Sequence, residues 1–447
     1  MSKLVLKDGR LVIPGQGIIE ADVAMENGKI LAIGQGLSGD EEISVAGKYV
    51  LPGLIDPHIH LGIFGDLAEE MEKETASALK GGITTVGAFM GGPNPYMSYF
   101  KDVIDLANAK AAADVFFHLA IMTPEQQSEI STYANELGIT SFKMYMSGIP
   151  GLIPDVDDGF MLQTLETVAA LGDKAIVCVH AENPHLIRVA TEKVKARGSE
   201  TLADWADTHP NAAEEDAVRR AAYLNDLAGS RMYIVHVSTA ESVRALAELK
   251  PRYPRLFAET TSPYLSIDKY SPLGLVALMV PPFRDPESVE ALWQGLANGL
   301  LDTVGTDNVT LTLDLKGAEK GIWGAMPGYP AVGTSLPVML NYGVNGRGFD
   351  LIRLVEVMSK NPAEIYGLYP RKGTITPGSD ADLVVVDLDL VKTVRHEELG
   401  SRADFSLYDG RELRGWPVMT IKGGRVAVKD GQMVSARSGS FLKRSLD

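Results

Sequence analysis

The middle of the chain alternates short, β-rich apolar runs with helical stretches, and this alternation narrows the possible folds more than any other feature. Eight runs read as strands, at 54–60, 84–90, 115–120, 141–146, 175–180, 232–237, 256–261 and 302–307. Helical patterns separate most of them, as at 67–80, 160–171, 212–227 and 240–248. Repeated strand–helix units predict a parallel sheet, because each return to the same edge needs a crossover about as long as a helix. Eight such units over roughly 320 residues fit a closed (β/α)8 barrel with insertions. An open, doubly wound sheet fits less well, since no glycine-rich phosphate loop follows the first strand.

The two ends of the chain have a different texture. Asp8-Gly9 and Asn27-Gly28 predict hairpin turns, flanked by apolar runs at 4–6 and 30–33. The same pattern returns at 382–387, 418–421, Gly423-Gly424 and 426–428. Both ends therefore predict one small β-sandwich, with the barrel inserted between its halves. The expected boundaries are 1–52 and 373–437 for the sandwich, 53–372 for the barrel and 438–447 for a tail. A chain of 447 residues is long enough for a large domain and a smaller one.

Composition excludes several classes. Apolar residues at 45% and charged residues at 22% give a globular balance. A net charge of -16 repels phosphate backbones, which argues against a nucleic-acid partner. No apolar run approaches bilayer length, so no membrane partner is expected. Residues 1–7 lack the apolar stretch of a signal peptide, and Cys178 is the only cysteine, so no intrachain disulfide can form. A cytoplasmic location is the expectation.

Chemistry gathers at the strand ends. His58 and His60 close the first strand two residues apart, which puts both imidazoles on one face. Strand presentation of this kind suits a metal ion, although a lone pair of histidines is more often incidental. The fifth strand ends in Cys178-Val179-His180, the sixth carries His236 and the eighth ends in Asp307. The fourth places Lys143 among Phe142, Met144 and Tyr145, where a lysine is costly unless paired or modified. Four of the eight histidines thus fall at strand ends of one face, while His118, His185, His209 and His396 read as surface, core or supporting residues. Asp307 could instead cap a helix, but its place after an apolar strand favours a ligand. Glu182-Asn183 reads as support for His180 or a helix cap, and Cys178 as filling a lower barrel layer. Two long loops, 91–96 and 148–154, follow strands two and four and read as pocket walls.

This set resembles the amidohydrolase superfamily, and within it the hydantoinase, dihydropyrimidinase and allantoinase group. The likeness runs along nearly the whole chain, through Leu51-Pro52-Gly53-Leu54-Ile55-Asp56-Pro57-His58-Ile59-His60, Gly81-Gly82-Ile83-Thr84-Thr85, Val179-His180-Ala181-Glu182-Asn183, Pro281-Pro282-Phe283-Arg284, Asn361-Pro362-Ala363 and Gly378-Ser379-Asp380-Ala381-Asp382-Leu383. Thr334-Ser335-Leu336-Pro337 and the run at 354–358 look similar to bacterial L-hydantoinase-type enzymes. The resemblance implies two divalent metal ions per subunit, usually zinc, with manganese or cobalt as replacements. His58, His60 and Asp307 would hold the more buried ion, and His180 and His236 the more exposed one. Lys143, carboxylated by carbon dioxide to a carbamate, would bridge both. The implied reaction opens a small cyclic amide, hydantoin-like substrate to N-carbamoyl amino acid. A metal-bridging hydroxide would be the nucleophile and Asp307 the proton shuttle. A homotetramer is implied as well.

Alternatives within the group are an allantoinase, a dihydropyrimidinase or a cyclic imide hydrolase. Mononuclear deaminases lack the bridging lysine. Non-catalytic dihydropyrimidinase-related scaffolds have lost metal ligands, whereas all six positions are filled here. The chain also departs from its group. Asn308 stands where many relatives carry a histidine after the strand-eight aspartate. Gly148 stands where dihydropyrimidinases and D-hydantoinases carry a tyrosine that donates to the oxyanion, leaving Ser147, another loop or the metal for that task. Leu61-Gly62-Ile63-Phe64-Gly65-Asp66 lacks the arginine that dihydroorotases place there. Phe64, with Met90, Tyr96 and Leu152, instead predicts an apolar pocket for a ring substituent. By resemblance, the backbone around Val280, Pro281 and Gly328 holds the imide.

Overall fold

A computed structural model describes residues 3–149 and 151–446. Met1, Ser2, Pro150 and Asp447, which fall within the N-terminal, loop and tail readings above, lie outside the described residues. Five strands open the chain: β1 (Leu4–Ile13), β2 (Gly17–Glu26), β3 (Lys29–Gly34), β4 (Glu41–Ser44) and β5 (Tyr49–Pro52). Next come β6 (Leu54–His60), β7 (Ile83–Met90), β8 (Asp114–Ala120), β9 (Ser141–Tyr145), β10 (Ile176–His180), β11 (Met232–Ile234), β12 (Leu256–Thr261), β13 (Thr303–Gly305) and β14 (Asn308–Val309). The last are β15 (Leu383–Thr393), β16 (Glu412–Lys422), β17 (Arg425–Lys429) and β18 (Gln432–Met433).

The fold is α/β, with one sheet made from both chain ends and a second, parallel one made from the middle. The first runs β18-β17-β16-β15-β5-β1-β2-β3, with β4 on β1. Its apolar residues alternate along each strand, so Leu4, Leu6, Leu11, Ile13, Val23, Met25, Leu383, Val385, Met419 and Ile421 share one core. Asn27 and Gly28, at φ 51° and 77°, turn β2 into β3 as predicted. Asp8-Gly9 corrects the sequence reading. It is not a hairpin turn but a bulge within β1, where pairing with β2 shifts between Leu6 and Gly9. Asp22 favours the bulge by accepting the Asp8 N–H at 3.0 Å, while Gly9 leaves room that a Cβ would lose to Val50 at 2.8 Å.

The second sheet runs β13-β12-β11-β10-β9-β8-β7-β6-β14. Its strands from β8 to β13 pair in parallel. Strands β8, β9 and β10 are buried at every residue, as expected of a parallel sheet covered on both faces. The eighth strand of the sequence reading is split, with β13 at one end of the sheet and β14 at the other. Thr306-Asp307 is the break between them, so the sheet's two ends belong to one short segment, as in a barrel. Helices at Leu67–Lys80, Asp158–Ala169, Asn211–Ala228 and Ala240–Leu249 match the predicted periodicity within two residues. Asp66, Asp157 and Thr239 cap three of them with side-chain oxygens.

Packing divides the chain into two compact units, residues 1–87, 104–116 and 330–442, and residues 88–103, 117–329 and 443–447. Within the first lies a buried charge network. Lys372 reaches Asp114 at 2.7 Å, Asp382 at 2.6 Å and Asp380 at 3.1 Å, and Lys422 reaches Asp114 at 2.8 Å. Burial alone would lower the Lys372 amine, but the aspartates override it and hold it above its ordinary value. Burial likewise opposes charge on Asp382, and Lys372 and Lys422 hold it below the usual carboxylate range. Also in this unit, Ser440 donates its N–H to Asp114 at 3.0 Å, and the Leu442 N–H reaches the Val115 carbonyl at 2.7 Å, which stitches the tail to β8.

Removing one partner strands the remaining charges. We predict that Lys372→Met lowers unfolding stability by about 3–5 kcal/mol, measured by denaturant titration. The depressed Asp382 adds stability that is complete above the unfolded aspartate value of about 3.9 and drains away as pH falls toward the folded value. The variant should therefore lose less stability than the parent between about pH 5 and pH 2.

Candidate metal and catalytic site

Strand β6 delivers His58 fully buried and His60 half-buried, with ring centroids 5.3 Å apart. The His58 N–H donates to Asp56 Oδ1 at 3.1 Å, which fixes the strand end. Asp307 follows β13 at φ 54°, a left-handed conformation unusual outside glycine. Ligand atoms of His58, His60 and Asp307 lie within 4.8 Å of one another. Two imidazole nitrogens and a carboxylate oxygen form a donor set that suits a divalent transition metal.

A second group lies around β10. His180 Nδ1 stands 2.9 Å from His236 Nε2, and the two rings meet edge to face. On its far side, His180 Nε2 is 3.0 Å from Glu182 Oε2. Burial would raise the Glu182 carboxyl, but His209 and His180 hold it well below its ordinary value, so it is an ionised acceptor. A hydrogen on His180 Nε2 would satisfy this acceptor and leave Nδ1 to face His236 as a lone pair. One cation with nitrogen bonds of about 2.0–2.1 Å can serve both facing nitrogens. Glu182 is held in turn by His209 Nδ1 at 3.2 Å and Arg284 at 3.5 Å. His236 also has a positive φ, 41°, and donates its backbone N–H to Glu259 at 3.1 Å. The sequence reading ran this strand to residue 237, whereas β11 ends at Ile234 and His236 sits in a turned backbone.

Lys143 lies inside β9, level with Cys178 of β10, while Tyr145 is level with His180. It is 1% exposed, and its amine lies 4.8 Å from the Phe89 ring centre and 4.9 Å from that of Tyr145. Burial pushes the amine down to about 8, against the pull of Asp307, Cys178 and Glu259. A neutral amine is the form that adds carbon dioxide, so this environment fits a carbamate. Cys178 is buried, with Sγ 3.9 Å from His118 Nδ1. His118 stacks on Phe89 and meets Ser141 Oγ at 2.7 Å.

The expected substrate residues are placed as follows. Phe64 is half-buried in the segment after His60. That segment is fixed by Glu70, which accepts the Gly62 N–H at 2.7 Å and pairs with Arg402 at 3.1 Å. Sequence reading saw no cation there because Arg402 arrives from a distant part of the chain, and Glu70 takes up its charge. Ser147 is 7% exposed just after β9, and Gly148 donates its N–H to Asp155 at 2.7 Å. The Val280–Pro281 peptide is cis, and the Pro281 carbonyl accepts the Tyr264 hydroxyl at 2.6 Å. Gly328 donates its N–H to Leu278 O at 3.1 Å. Tyr96, read as a pocket wall, is fully buried against Phe100 and Tyr133, with its hydroxyl on Ala120 O. It packs the interior instead. Sequence reading placed Glu182 as support for His180, as found, but missed its partnership with His209 and Arg284, which come from other segments.

A parallel sheet with histidines and a carboxylate at its strand ends, and a buried lysine inside one strand, fits a barrel enzyme whose site lies at those ends. Residues 49–427 match the Amidohydrolase family. An L-hydantoinase of Paenarthrobacter aurescens is 34% identical, over 99% of this chain and 98% of the relative. An allantoinase of Rubrobacter xylanophilus is 33% identical, over 98% of this chain and 97% of the relative. The solved L-hydantoinase (dihydropyrimidinase) from Arthrobacter aurescens superposes with a TM-score of 0.93 at 32% identity, covering 99% of this chain and 100% of that one. The chain belongs to the amidohydrolase family, and it is a hydrolase of that family's hydantoinase and allantoinase group. No helix among the described residues is long and apolar enough to cross a membrane.

Glu182 offers a direct test of how His180 is held. Glu182→Gln removes the charge that fixes the imidazole. It should weaken metal retention by about 10–100-fold while the far-ultraviolet dichroism stays unchanged. Equilibrium dialysis against a graded zinc buffer reads the effect, and unchanged affinity would count against the assignment.

Proposed function

We propose that this chain opens the ring amide of a hydantoin-like substrate to give an N-carbamoyl amino acid. The observation that carries the reading is Lys143, fully buried in an apolar strand of a chain whose His58, His60 and Asp307 ligand atoms cluster. In this reading His58, His60 and Asp307 would hold one cation, His180 and His236 would hold the other, and Lys143, once carboxylated, would supply a further anionic ligand. When bound, the two ions supply an acidified water and a Lewis-acid pole for the ring carbonyl. Zinc is the proposed metal, with manganese or cobalt as substitutes.

The chain's own residues do the rest. Asp307 accepts the proton of the attacking water and hands it to the ring nitrogen as the carbon–nitrogen bond breaks and the new carbon–oxygen bond forms. Backbone groups at Val280, Pro281 and Gly328 hold the imide, and Ser147 stands nearest the position of the missing tyrosine. Half-buried Phe64 and exposed Ile63 and Leu152 favour an apolar ring substituent. The proposal extends to a cytoplasmic homotetramer and to sandwich and barrel boundaries at 52/53 and 372/373. An allantoin substrate is the second reading, because the allantoinase relative is nearly as similar as the L-hydantoinase.

The metal-loaded enzyme should open at least one ring when offered hydantoin, 5-substituted hydantoins, dihydrouracil, allantoin and cyclic imides. Ring opening is followed by loss of ultraviolet absorbance and by product chromatography, with metal content measured on the same sample. Preference for a 5-substituted hydantoin supports the first reading, and preference for allantoin the second. Asp307→Asn should retain the fold and lower kcat by on the order of 10²–10⁴-fold. Full activity in that variant removes the proton-transfer role.

A further inference from the structure

Four lysines are buried among the described residues, and three have an evident reason to be there. Lys372 and Lys422 meet aspartates, and Lys143 is the residue proposed above to carry the carbamate. Lys316 is the fourth, fully buried in the short helix Leu313–Lys316. Its amine meets two main-chain carbonyls, Leu278 O and Gly328 O, each at 2.6 Å. Burial pushes it down to about 7, with no carboxylate among the causes. A neutral amine still has two N–H groups, one for each carbonyl, so the contact survives loss of the proton.

The two carbonyls belong to segments far apart in sequence. Leu278 lies two residues before the cis Val280–Pro281 peptide, and Gly328 lies in the stretch beyond the helix Leu313–Lys316. The segments also bond directly, since the Gly328 N–H reaches Leu278 O at 3.1 Å. The Lys316 carbonyl accepts the Met326 N–H at 2.9 Å, so its backbone ties the same loop. Gly328 has no slack, because at φ 129° a Cβ would meet Val309 at 2.8 Å. Methionine would fill the lysine's volume without a buried polar group to satisfy. An amine kept here does one thing an apolar side chain cannot: it pins both carbonyls at once.

We propose that Lys316 is a positioning residue whose amine staples Leu278 to Gly328 and so sets the spacing of the two backbone segments that grip the cyclic imide. The inference rests on the proposed ring contacts at Val280, Pro281 and Gly328, and adds the element that holds them in register. It also makes the staple a determinant of ring size. Five- and six-membered cyclic amides place their imide atoms differently between the same two strips of backbone, and a fixed gap favours one of them.

The test uses the metal-loaded full chain with Lys316→Met and Lys316→Arg. The Met variant should raise KM for the preferred ring on the order of ten- to a hundredfold, with kcat little changed, the pattern of lost uniform binding. Its preference between hydantoin and dihydrouracil should shrink, and its metal content should match the parent. The Arg variant, which keeps N–H donors, should recover part of the KM. Hydrogen exchange supplies a readout independent of turnover, with faster exchange expected in peptides spanning 278–283 and 326–329 of the Met variant. If the Met variant does not fold, the Arg variant carries both measurements and should show a smaller change of the same kind. An unchanged KM in an active, folded Met variant overturns the inference, as does unchanged exchange in both segments. A parent inactive on every ring amide defeats the functional reading itself, and the exchange result still reports on the staple.

Discussion

The parallel sheet depends on a fault in its last strand. At Thr306-Asp307 the extended backbone stops, and the chain resumes pairing as β14 at the opposite end of the sheet from β13. A non-glycine residue at φ 54° costs free energy, on the order of 1 kcal/mol. The return is twofold. One short segment serves both ends of the sheet, and the carboxylate at the fault comes within ligand distance of His58 and His60. His236 repeats the device on a smaller scale, with its own positive φ just beyond β11. In both places a strained residue occupies a proposed ligand position, and the regular strand before it supplies the rigidity.

Buried charge is handled in three ways. Away from the strand ends, aspartates surround Lys372 and hold its amine above its ordinary value, and Lys422 meets two of the same carboxylates. At His180 a carboxylate takes the nitrogen opposite His236 and is itself held by His209 and Arg284. At Lys143 aromatic rings replace a tight ion pair, and burial weakens the amine's hold on its proton. A tight carboxylate partner at Lys143 would stabilise the ammonium and block reaction with carbon dioxide.

Much of this was legible in the sequence, for physical reasons. Period-two apolar runs and capped amphipathic helices are local signals, and β6, β12 and the helix Leu67–Lys80 fall at their predicted ends. Asn27-Gly28 was readable because both residues tolerate the left-handed region that a tight hairpin demands. Asp8-Gly9 looked the same but became a bulge, since the deciding partner, Asp22, sits on the neighbouring strand. Arg402 beside Glu70, Arg284 beside Glu182, and Lys316 between Leu278 and Gly328 share that cause. Each partnership joins segments distant in sequence, and no local pattern announces it. Burial of the site lysine was predictable from its apolar neighbours, whereas the split of the eighth strand was not.

The tail stitched onto β8 bears on how the protein is made. Ser440 and Asp114, which hydrogen-bond at 3.0 Å, are 326 positions apart, and β5 pairs with β15 across a comparable stretch. On the ribosome, β1 to β5 can pair among themselves, but the open edge of β5 waits for β15. Local helices can form at once, but closure of this sheet waits until β15 has been made. Until then the nascent chain carries an unfilled strand edge, the kind of surface that invites wrong pairing.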